Sequence, residues 1–202
     1  MTARDTIFQG IRDALAPIEE RAAYPGFPPS ATDPTWLAAA HDLPALFEKR
    51  LTATGAKFFA DAAACARWMR EDGAQLVYLS PAFAGLAPIF AAELAVTLEY
   101  TRDQVDTIDA AVTLAAGAIA ESGTLILTDG DTPDRLAALA PWRHVAAVPS
   151  AKLFRTIPDA IAAFPSDPNI IWVTGPSKTA DVEGILIQGV HGPGQQGCFF
   201  LP

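Results

Sequence analysis

Residues 110–148 read AAVTLAAGAIAESGTLILTDGDTPDRLAALAPWRHVAAV, and this stretch decides the fold of the chain. It contains three apolar runs, at 110–115, 124–128 and 145–148, and a segment of helical character at 133–139. Short runs that are apolar throughout are typical of strands buried on both faces of a sheet, and helices cover such sheets. We therefore predict an α/β fold with an open, mostly parallel sheet.

The same alternation of strands and helices continues on both sides of this stretch. It predicts further strands at 56–60, 75–79, 170–174 and 198–201, and further helices at 62–71, 157–164 and 179–186. The first fifty residues differ, because their pattern is helical at 2–23 and again from Pro34 to about Thr54, with a proline-rich stretch at 25–34 between the two. We therefore divide the chain into an N-terminal helical extension with a Pro-rich linker, residues 1–54, and an α/β domain, residues 55–202.

The charge balance of the chain argues against two classes of partner. Its 202 residues include 14 Lys and Arg against 23 Asp and Glu, which gives a net charge of −9. An acidic surface repels phosphate groups, so we expect neither nucleic acid nor an anionic membrane as a partner. The uncharged stretch 73–92 is long enough to span a membrane, but Pro81 and Pro88 interrupt it. Residues 1–10 lack the apolar core of a signal peptide, which predicts a cytoplasmic protein.

The cysteines and histidines indicate that this chain carries no metal or cofactor of its own. The two cysteines, Cys65 and Cys198, are too few for a four-cysteine zinc site or an iron–sulfur cluster, and they form no CxxC pair. No HxH or HxxxH pair supplies histidine ligands either. The segment 192–197 matches GxGxxG, but a strand and not a helix follows it, so we interpret it as a loop and not as a dinucleotide site.

The segment 175–183, GPSKTADVE, follows the predicted strand 170–174 and holds the first candidate site. A predicted helix that begins near Ser177 and Thr179 would present free backbone N–H groups to an anion, and Lys178 would add a positive charge. The alternative is that Ser177 or Thr179 only caps this helix. Asp181 and Glu183 then lie in its first turn, where acids interact favourably with the helix dipole, or they orient a substrate hydroxyl or His191.

Two further candidates flank turns that contain glycine. Glu121 precedes Gly123 and Thr124 between two apolar stretches, where a partly buried carboxylate could act as a general base or a nucleophile, although a turn residue facing water is the commoner case. His191 lies between Gly189 and Gly192, and glycines let backbone approach a ligand closely, although a loop histidine without a ligand is also possible. We predict that residues 121–124, 175–183 and His191 converge on one pocket.

Taken together, these segments resemble the LUD-domain family, and within it the lactate utilisation protein C group. The resemblance rests on AIAESGTLIL at 118–127, GPSKTADVE at 175–183 and GVHGP at 189–193, in this order and spacing. It implies a fold similar to the sugar-phosphate isomerase and CoA-transferase-like α/β proteins. The family positions that it carries over are Glu121, Gly123, Thr124, Gly175, Ser177, Lys178, Thr179, Asp181, Glu183, His191 and Gly192. Lys178 stands where the family commonly has Arg.

The resemblance also implies a role in the oxidation of L-lactate to pyruvate, beside iron–sulfur partner proteins that carry the clusters. On this hypothesis the chain is a non-redox component that binds a small carboxylate or phosphate. Two alternatives stay open. The chain could be a CoA-transferase-like enzyme that uses Glu121, with His191 as a second catalytic candidate, or a regulatory protein that binds a small anion without turnover.

Overall fold

The computed structural model describes residues 2–18, 35–128, 135–164, 169–180 and 183–202. They belong to two compact units, Met1–Pro34 and Thr35–Pro202. In the first unit, helix α1 (Ala3–Leu15) begins at Thr2, whose side chain forms a capping box with Asp5. The Pro-rich linker predicted at 25–34 lies outside the described residues.

The larger sheet of the second unit has six strands, and every neighbouring pair is parallel. Across the sheet the strands are β1 (Lys57–Phe58), β12 (Gln195–Leu201), β7 (Arg143–Pro149), β4 (Ala110–Leu114), β2 (Leu76–Leu79) and β3 (Ala95–Thr97). The longest pairing joins β7 to β12 over seven residues, from Arg143 opposite Gln195 to Pro149 opposite Leu201. The predicted α/β fold with a mostly parallel sheet is confirmed.

Seven α-helices belong to the described part of the chain, and six of them lie in the second unit. They are α2 (Thr35–Ala38), α3 (Leu43–Ala53), α4 (Ala62–Glu71), α5 (Ala87–Ala91), α6 (Arg135–Leu139) and α7 (Ile157–Ala163). The bounds of α4 are those predicted from the sequence, because Asp61 accepts a hydrogen bond from the backbone N–H of Ala64 at its start. No described helix has the length and apolar character that crossing a membrane requires.

The two faces of the parallel sheet are buried in two different hydrophobic cores. Alternate residues of a strand point to opposite faces, and β7 shows this directly. Val145 and Ala147 belong to a core that includes residues of α4 and α5, whereas Ala146 and Val148 belong to a core that includes residues of α3. This burial on both faces explains why the strands read as unbroken apolar runs in the sequence.

A second sheet of four strands packs into the α3 core through the side chains of Leu125 and Leu127. Its strand order is β8 (Leu153–Phe154), β5 (Gly117–Ile119), β6 (Thr124–Thr128) and β9 (Ile170–Val173). Strand β6 is antiparallel to both β5 and β9. The sequence predicts β6 and β9 but not β5 or β8, because the Ala- and Gly-rich residues around 117 have no clear strand periodicity and β8 has only two residues.

Helix α3 falls within the extension predicted for residues 1–54, and its contacts are now visible. Asp42 caps its N-terminus, and Phe47 and Leu51 are fully buried in the core beneath the parallel sheet. Helix α3 therefore belongs to the compact unit that begins at Thr35. The division of the chain at residue 54 stays a prediction.

The helix predicted at 179–186 is wrong. The chain forms two short antiparallel strands there, β10 (Lys178–Ala180) and β11 (Leu186–Gln188), with Thr179 opposite Ile187. Gly184 has a φ of +78°, which is incompatible with an α-helix. In addition, β-branched residues such as Ile187 favour an extended backbone. The proposed anion site at a helix N-terminus is lost with this helix.

A hydrogen-bonded chain of buried polar groups connects the three central strands of the parallel sheet. His144 on β7 lies 2.7 Å from the hydroxyl of Thr113 on β4 and 3.2 Å from the amide oxygen of Gln196 on β12. Since this oxygen only accepts, Nδ1 of His144 carries the proton and Nε2 accepts from Thr113. Burial lowers the pKa of His144 to about 4, and the bond to Gln196 opposes this shift only in part.

The buried histidine predicts a specific loss of stability in acid. Because the pKa of His144 is about 4 in the folded protein and 6.5 as a free side chain, protonation favours the unfolded chain. The stabilising contribution of neutral His144 is complete above pH 6.5 and is lost as the pH falls towards 4. Chemical denaturation across this range should show the free energy of unfolding of the wild type falling by up to about 3 kcal/mol more than that of His144→Gln. Parallel curves for the two proteins would contradict this account.

A second prediction concerns Gly123, which lies against the backbone of α3. Its φ is +69°, and a Cβ atom there would lie 2.5 Å from the carbonyl carbon of Arg50 and would also clash with the backbone nitrogen of Leu51. We expect Gly123→Ala to lower the free energy of unfolding by roughly 2 kcal/mol. Gly85→Ala is the control, since no heavy atom lies within 4 Å of the added methyl group, and its melting temperature should stay close to that of the wild type. Equal melting temperatures for the two variants would refute the prediction.

Candidate functional site

A cleft of about 180 Å³ lies between the end of β9, helix α6 and the loop that precedes β12. Four of the predicted site residues line this cleft: Gly175, Ser177, His191 and Gly192. The other lining residues are Ala138, Leu139, Trp172, Val173, Thr174, Pro193 and Gln196. The structure thus brings the 175–177 turn and the 191–192 loop together, whereas Glu121, Gly123, Thr124 and Lys178, which the sequence predicts in the same pocket, do not line it.

Two backbone hydrogen bonds hold these loops in place. The N–H of Ser177 donates to the carbonyl of Pro193 at 2.9 Å, and the N–H of Gly189 donates to the carbonyl of Ser177 at 3.0 Å. Both bonds involve Ser177, so they connect the segment before β10 with the segment after β11 at the cleft wall. This arrangement fixes the position of Ser177 relative to the loop that carries His191.

The cleft combines polar groups on one side with apolar side chains on the other. Ser177 offers a hydroxyl, His191 an exposed imidazole ring and Gln196 a buried amide, whereas Leu139 and Trp172 form apolar walls. Convergent polar groups within an otherwise apolar cleft are typical of sites for small molecules. Among the described residues, no Lys or Arg lines this cleft.

Gln196 is one of the lining residues that sequence reasoning missed, and its amide is buried. The amide oxygen accepts from His144, so Gln196 connects the cleft to the hydrogen-bonded chain within the parallel sheet. Its amide nitrogen donates to the carbonyl of Gly197 at 3.1 Å, which fixes the orientation of the amide. His144 lies 52 positions earlier in the chain, and only the pairing of β7 with β12 brings the two residues together.

Lys178 does not line the cleft. Its Nζ atom donates to the carbonyl oxygen of Thr54 at 2.8 Å, at the C-terminal end of α3. A cation is stabilised at this position because the free carbonyl groups of the helix C-terminus are partly negative. The sequence predicts that Lys178 binds an anion, but in the structure its ammonium group contacts the C-terminal end of α3.

Two other predicted site residues of the 175–183 segment, Thr179 and Glu183, do not line the cleft either. Thr179 is half-buried in β10, and Glu183 is exposed in the turn before β11. Asp181 lies outside the described residues.

Glu121 lies at the N-terminus of α7. Its carboxylate accepts a hydrogen bond of 3.0 Å from the backbone N–H of Ile157, and its own N–H donates to the carbonyl of Arg155. An acidic side chain is stabilised at a helix N-terminus, so this contact gives Glu121 a capping role. Glu121 lines neither this cleft nor the larger one described below.

Thr124 links the 121–124 turn to the cleft wall. Its hydroxyl lies 2.8 Å from the hydroxyl of Thr174, a lining residue, and 2.7 Å from the hydroxyl of Ser122. The neighbouring Gly123 packs against α3 instead. The 121–124 turn therefore contacts the cleft wall through Thr124, and the carboxylate of Glu121 does not line the cleft.

A larger cleft of about 580 Å³ lies at the carboxyl ends of β1, β12 and β7. Most of its lining is apolar, and it contains none of the predicted site residues. The residues that line it are Ala60, Asp61, Ala62, Ala63, Leu86, Ile89, Ser150, Phe199, Phe200, Leu201 and Pro202. The carboxyl ends of parallel strands are the usual place for ligands in such sheets, but the carboxylate of Asp61 is engaged in capping α4. This cleft is large, but few polar groups line it that could orient a ligand.

Both cysteines lie inside the hydrophobic cores. Cys65 on α4 and Cys198 on β12 are free and fully buried, and burial raises the pKa of each thiol. Thiols in such surroundings remain protonated and unreactive near neutral pH. Within the described residues, no three His, Cys, Asp or Glu side chains are grouped closely enough to hold a metal ion.

The chain is similar to known proteins in both sequence and fold. The model of the LUD domain matches residues 77–200, more than half of the chain. A lactate utilization protein C from Deinococcus radiodurans is 33% identical over 95 residues, which is 45% of each chain. A protein of the same name from Bacillus licheniformis is 36% identical over 90 residues, which cover 41% of this chain and 38% of that one. The matched region thus spans less than half the length of these curated relatives.

A solved structure extends the likeness over more of the chain. The crystal structure of a DUF162 family protein from Deinococcus radiodurans matches with a TM-score of 0.58 and 23% identity, and the match covers 84% of this chain and 100% of that one. This likeness shows that the fold is shared. Because the LUD-domain model covers β2 through most of β12, including the cleft and its supporting turn, the chain belongs to the LUD-domain family.

Proposed function

We propose that this protein is a non-redox component of L-lactate oxidation to pyruvate that acts beside iron–sulfur partner proteins. The observation that carries the proposal is the membership of the LUD-domain family together with relatives named lactate utilization protein C. The cysteines support a division of labour, since the chain has two, and both are buried in the cores as unreactive thiols. The thiolate ligands of any cluster are then supplied by other proteins.

The cleft beside Ser177 is the proposed ligand site. Its volume of about 180 Å³ is large enough to hold a small organic acid. In this proposal the hydroxyl of Ser177 and the imidazole of His191, which both line the cleft, hydrogen-bond the carboxylate, and Trp172 forms an apolar wall for the carbon chain. Since the described lining contains no Lys or Arg, we expect the cleft to favour a singly charged carboxylate over a phosphate.

A growth experiment tests the proposed role in lactate oxidation. Deletion of the gene, in a cell without a second copy, should abolish growth on L-lactate and leave growth on pyruvate unchanged, because only the oxidation step is lost. The wild-type gene restores growth, and the tagged protein should recover its iron–sulfur partners when it is purified from lactate-grown cells. Normal growth of the deletion strain on L-lactate would overturn the proposal.

Calorimetry with L-lactate and pyruvate tests the cleft as the ligand site. A hydrogen bond to a charged group contributes about 1.5–3 kcal/mol, so Ser177→Ala should weaken binding by about tenfold or more. Lys178→Met is the matched control, because Nζ of Lys178 contacts Thr54 at the end of α3 and no lining residue of the cleft. Its affinity should equal that of the wild type. A loss of binding in Lys178→Met with normal binding in Ser177→Ala would reject the cleft.

A further inference from the structure

The side-chain amide of Gln196 has a hydrogen-bond donor that the described part of the chain leaves unused. A primary amide carries two N–H groups and one accepting oxygen. The carbonyl of Gly197 accepts from one N–H at 3.1 Å, and the amide oxygen accepts from Nδ1 of His144 at 3.2 Å. The second N–H has no hydrogen-bond partner among the described residues. Gln196 is only 2% exposed, and a buried donor without a partner is costly, so this N–H calls for an acceptor.

This donor lies on the side of β12 that faces the cleft beside Ser177. Alternate residues of a strand point to opposite faces, so the side chains of Gln196 and Cys198 share one face of the parallel sheet. Cys198 packs in the core that contains residues of α3, together with the cleft-lining residues Ala138 and Val173. Gln196 itself also lines the cleft, so a ligand bound there is within reach of its amide.

Two fixed partners determine which way the amide points. A backbone carbonyl only accepts, so Gly197 requires the amide nitrogen beside it and leaves the amide oxygen to His144. Neutral His144 then carries its proton on Nδ1, and Nε2 accepts from the hydroxyl of Thr113 at 2.7 Å. A flipped amide would set its oxygen against the carbonyl of Gly197 and its nitrogen against the N–H of His144. Both contacts would then be repulsive, so the amide is held with its second N–H free to donate.

We infer that the free N–H of Gln196 is a specificity-determining donor of the cleft, which binds an oxygen of the ligand's carboxylate, and that His144 positions this donor. The inference rests on the proposed function, because it takes the cleft beside Ser177 as the ligand site. The described lining contains no Lys, Arg, Asp or Glu, so uncharged donors carry the recognition and no lining carboxylate repels the ligand. Such a site takes a small 2-oxo or 2-hydroxy carboxylate and disfavours a ligand that presents an N–H group to Gln196.

Calorimetry of the whole 202-residue chain with pyruvate and with L-lactate tests this donor. Gln196→Met keeps the length of the side chain but has no N–H group, and it should weaken binding of both ligands by about tenfold or more, because a hydrogen bond to a charged group is lost. Gln195→Met is the matched control, since Gln195 lies next to it in β12 but contacts Asp72 and does not line the cleft. The affinity of this control should equal that of the wild type.

NMR spectroscopy of the isotope-labelled wild type gives a second measurement, which does not depend on whether Gln196→Met folds. The side-chain amide of Gln196 has two hydrogen resonances, one for the hydrogen that is bonded to Gly197 and one for the free hydrogen. Saturating pyruvate should move the resonance of the free hydrogen downfield, because a hydrogen bond to a carboxylate deshields it. The side-chain amide resonances of Gln195 should stay in place.

Two variants of His144 test its positioning role. In His144→Asn the side-chain nitrogen is bonded to Cγ, as Nδ1 is, so a donor to Gln196 is kept, whereas His144→Leu has no donor. His144→Asn should bind pyruvate as the wild type does, and His144→Leu should weaken binding by about tenfold. If His144 served folding alone, both variants would lose thermal stability and their affinities for pyruvate would be equal. Equal affinities would therefore reject the positioning role.

The outcomes separate this inference from the proposed ligand site. Wild-type affinity in Gln196→Met, an equal loss in Gln195→Met, or an unmoved Gln196 resonance with pyruvate bound would each overturn the inference. If Ser177→Ala weakens binding while Gln196→Met does not, the cleft remains the ligand site and only the role of Gln196 is rejected. If the wild type binds neither pyruvate nor L-lactate, the proposed ligand site falls together with the inference.

Discussion

The pairing of β7 with β12 is the constraint on which the rest of the molecule depends. It is the longest ladder of the parallel sheet, with seven residue pairs, and it joins the last strand of the described chain to the middle of the sheet. Alternate residues of β7 enter the two hydrophobic cores, so one strand connects the helices on both sides. The same register sets Gln196 beside His144, where the buried amide satisfies a histidine that would otherwise lose a hydrogen bond.

The second sheet is held to this framework by close backbone contacts around α3. Gly123 lies against the backbone of Arg50 and Leu51, and Gly175 lies so close to Thr54 that a Cβ atom would come within 2.5 Å of its hydroxyl. Lys178 adds a hydrogen bond to the carbonyl of Thr54. The C-terminal end of α3 thus packs directly against the cleft wall. A side chain at Gly123 or Gly175 would push the wall away from α3.

The site that results uses few charges. The cleft offers hydrogen-bonding groups of Ser177, His191 and Gln196 against apolar walls, while Lys178 and Glu121 stabilise the ends of two helices. Both side chains follow the same physical rule, since a cation is favoured at a helix C-terminus and an anion at a helix N-terminus. A cleft of this kind offers shape and hydrogen bonding for the recognition of a small molecule.

The sequence by itself determined the fold class, the bounds of α4 and the resemblance to the LUD-domain family, because apolar periodicity, capping residues and local motifs are written in consecutive residues. It also predicted that Ser177 and His191 lie close together, and both line one cleft. It could not distinguish the strands β10 and β11 from a helix, because a short apolar run with β-branched residues is compatible with both. The hydrogen-bonded pairing of β10 with β11 decides for the strands. Only the tertiary structure decided the neighbours of Lys178, Glu121 and Gln196. Each of these side chains contacts a group at least 36 positions away, and that distance is closed by strand register and helix packing, which no local pattern encodes.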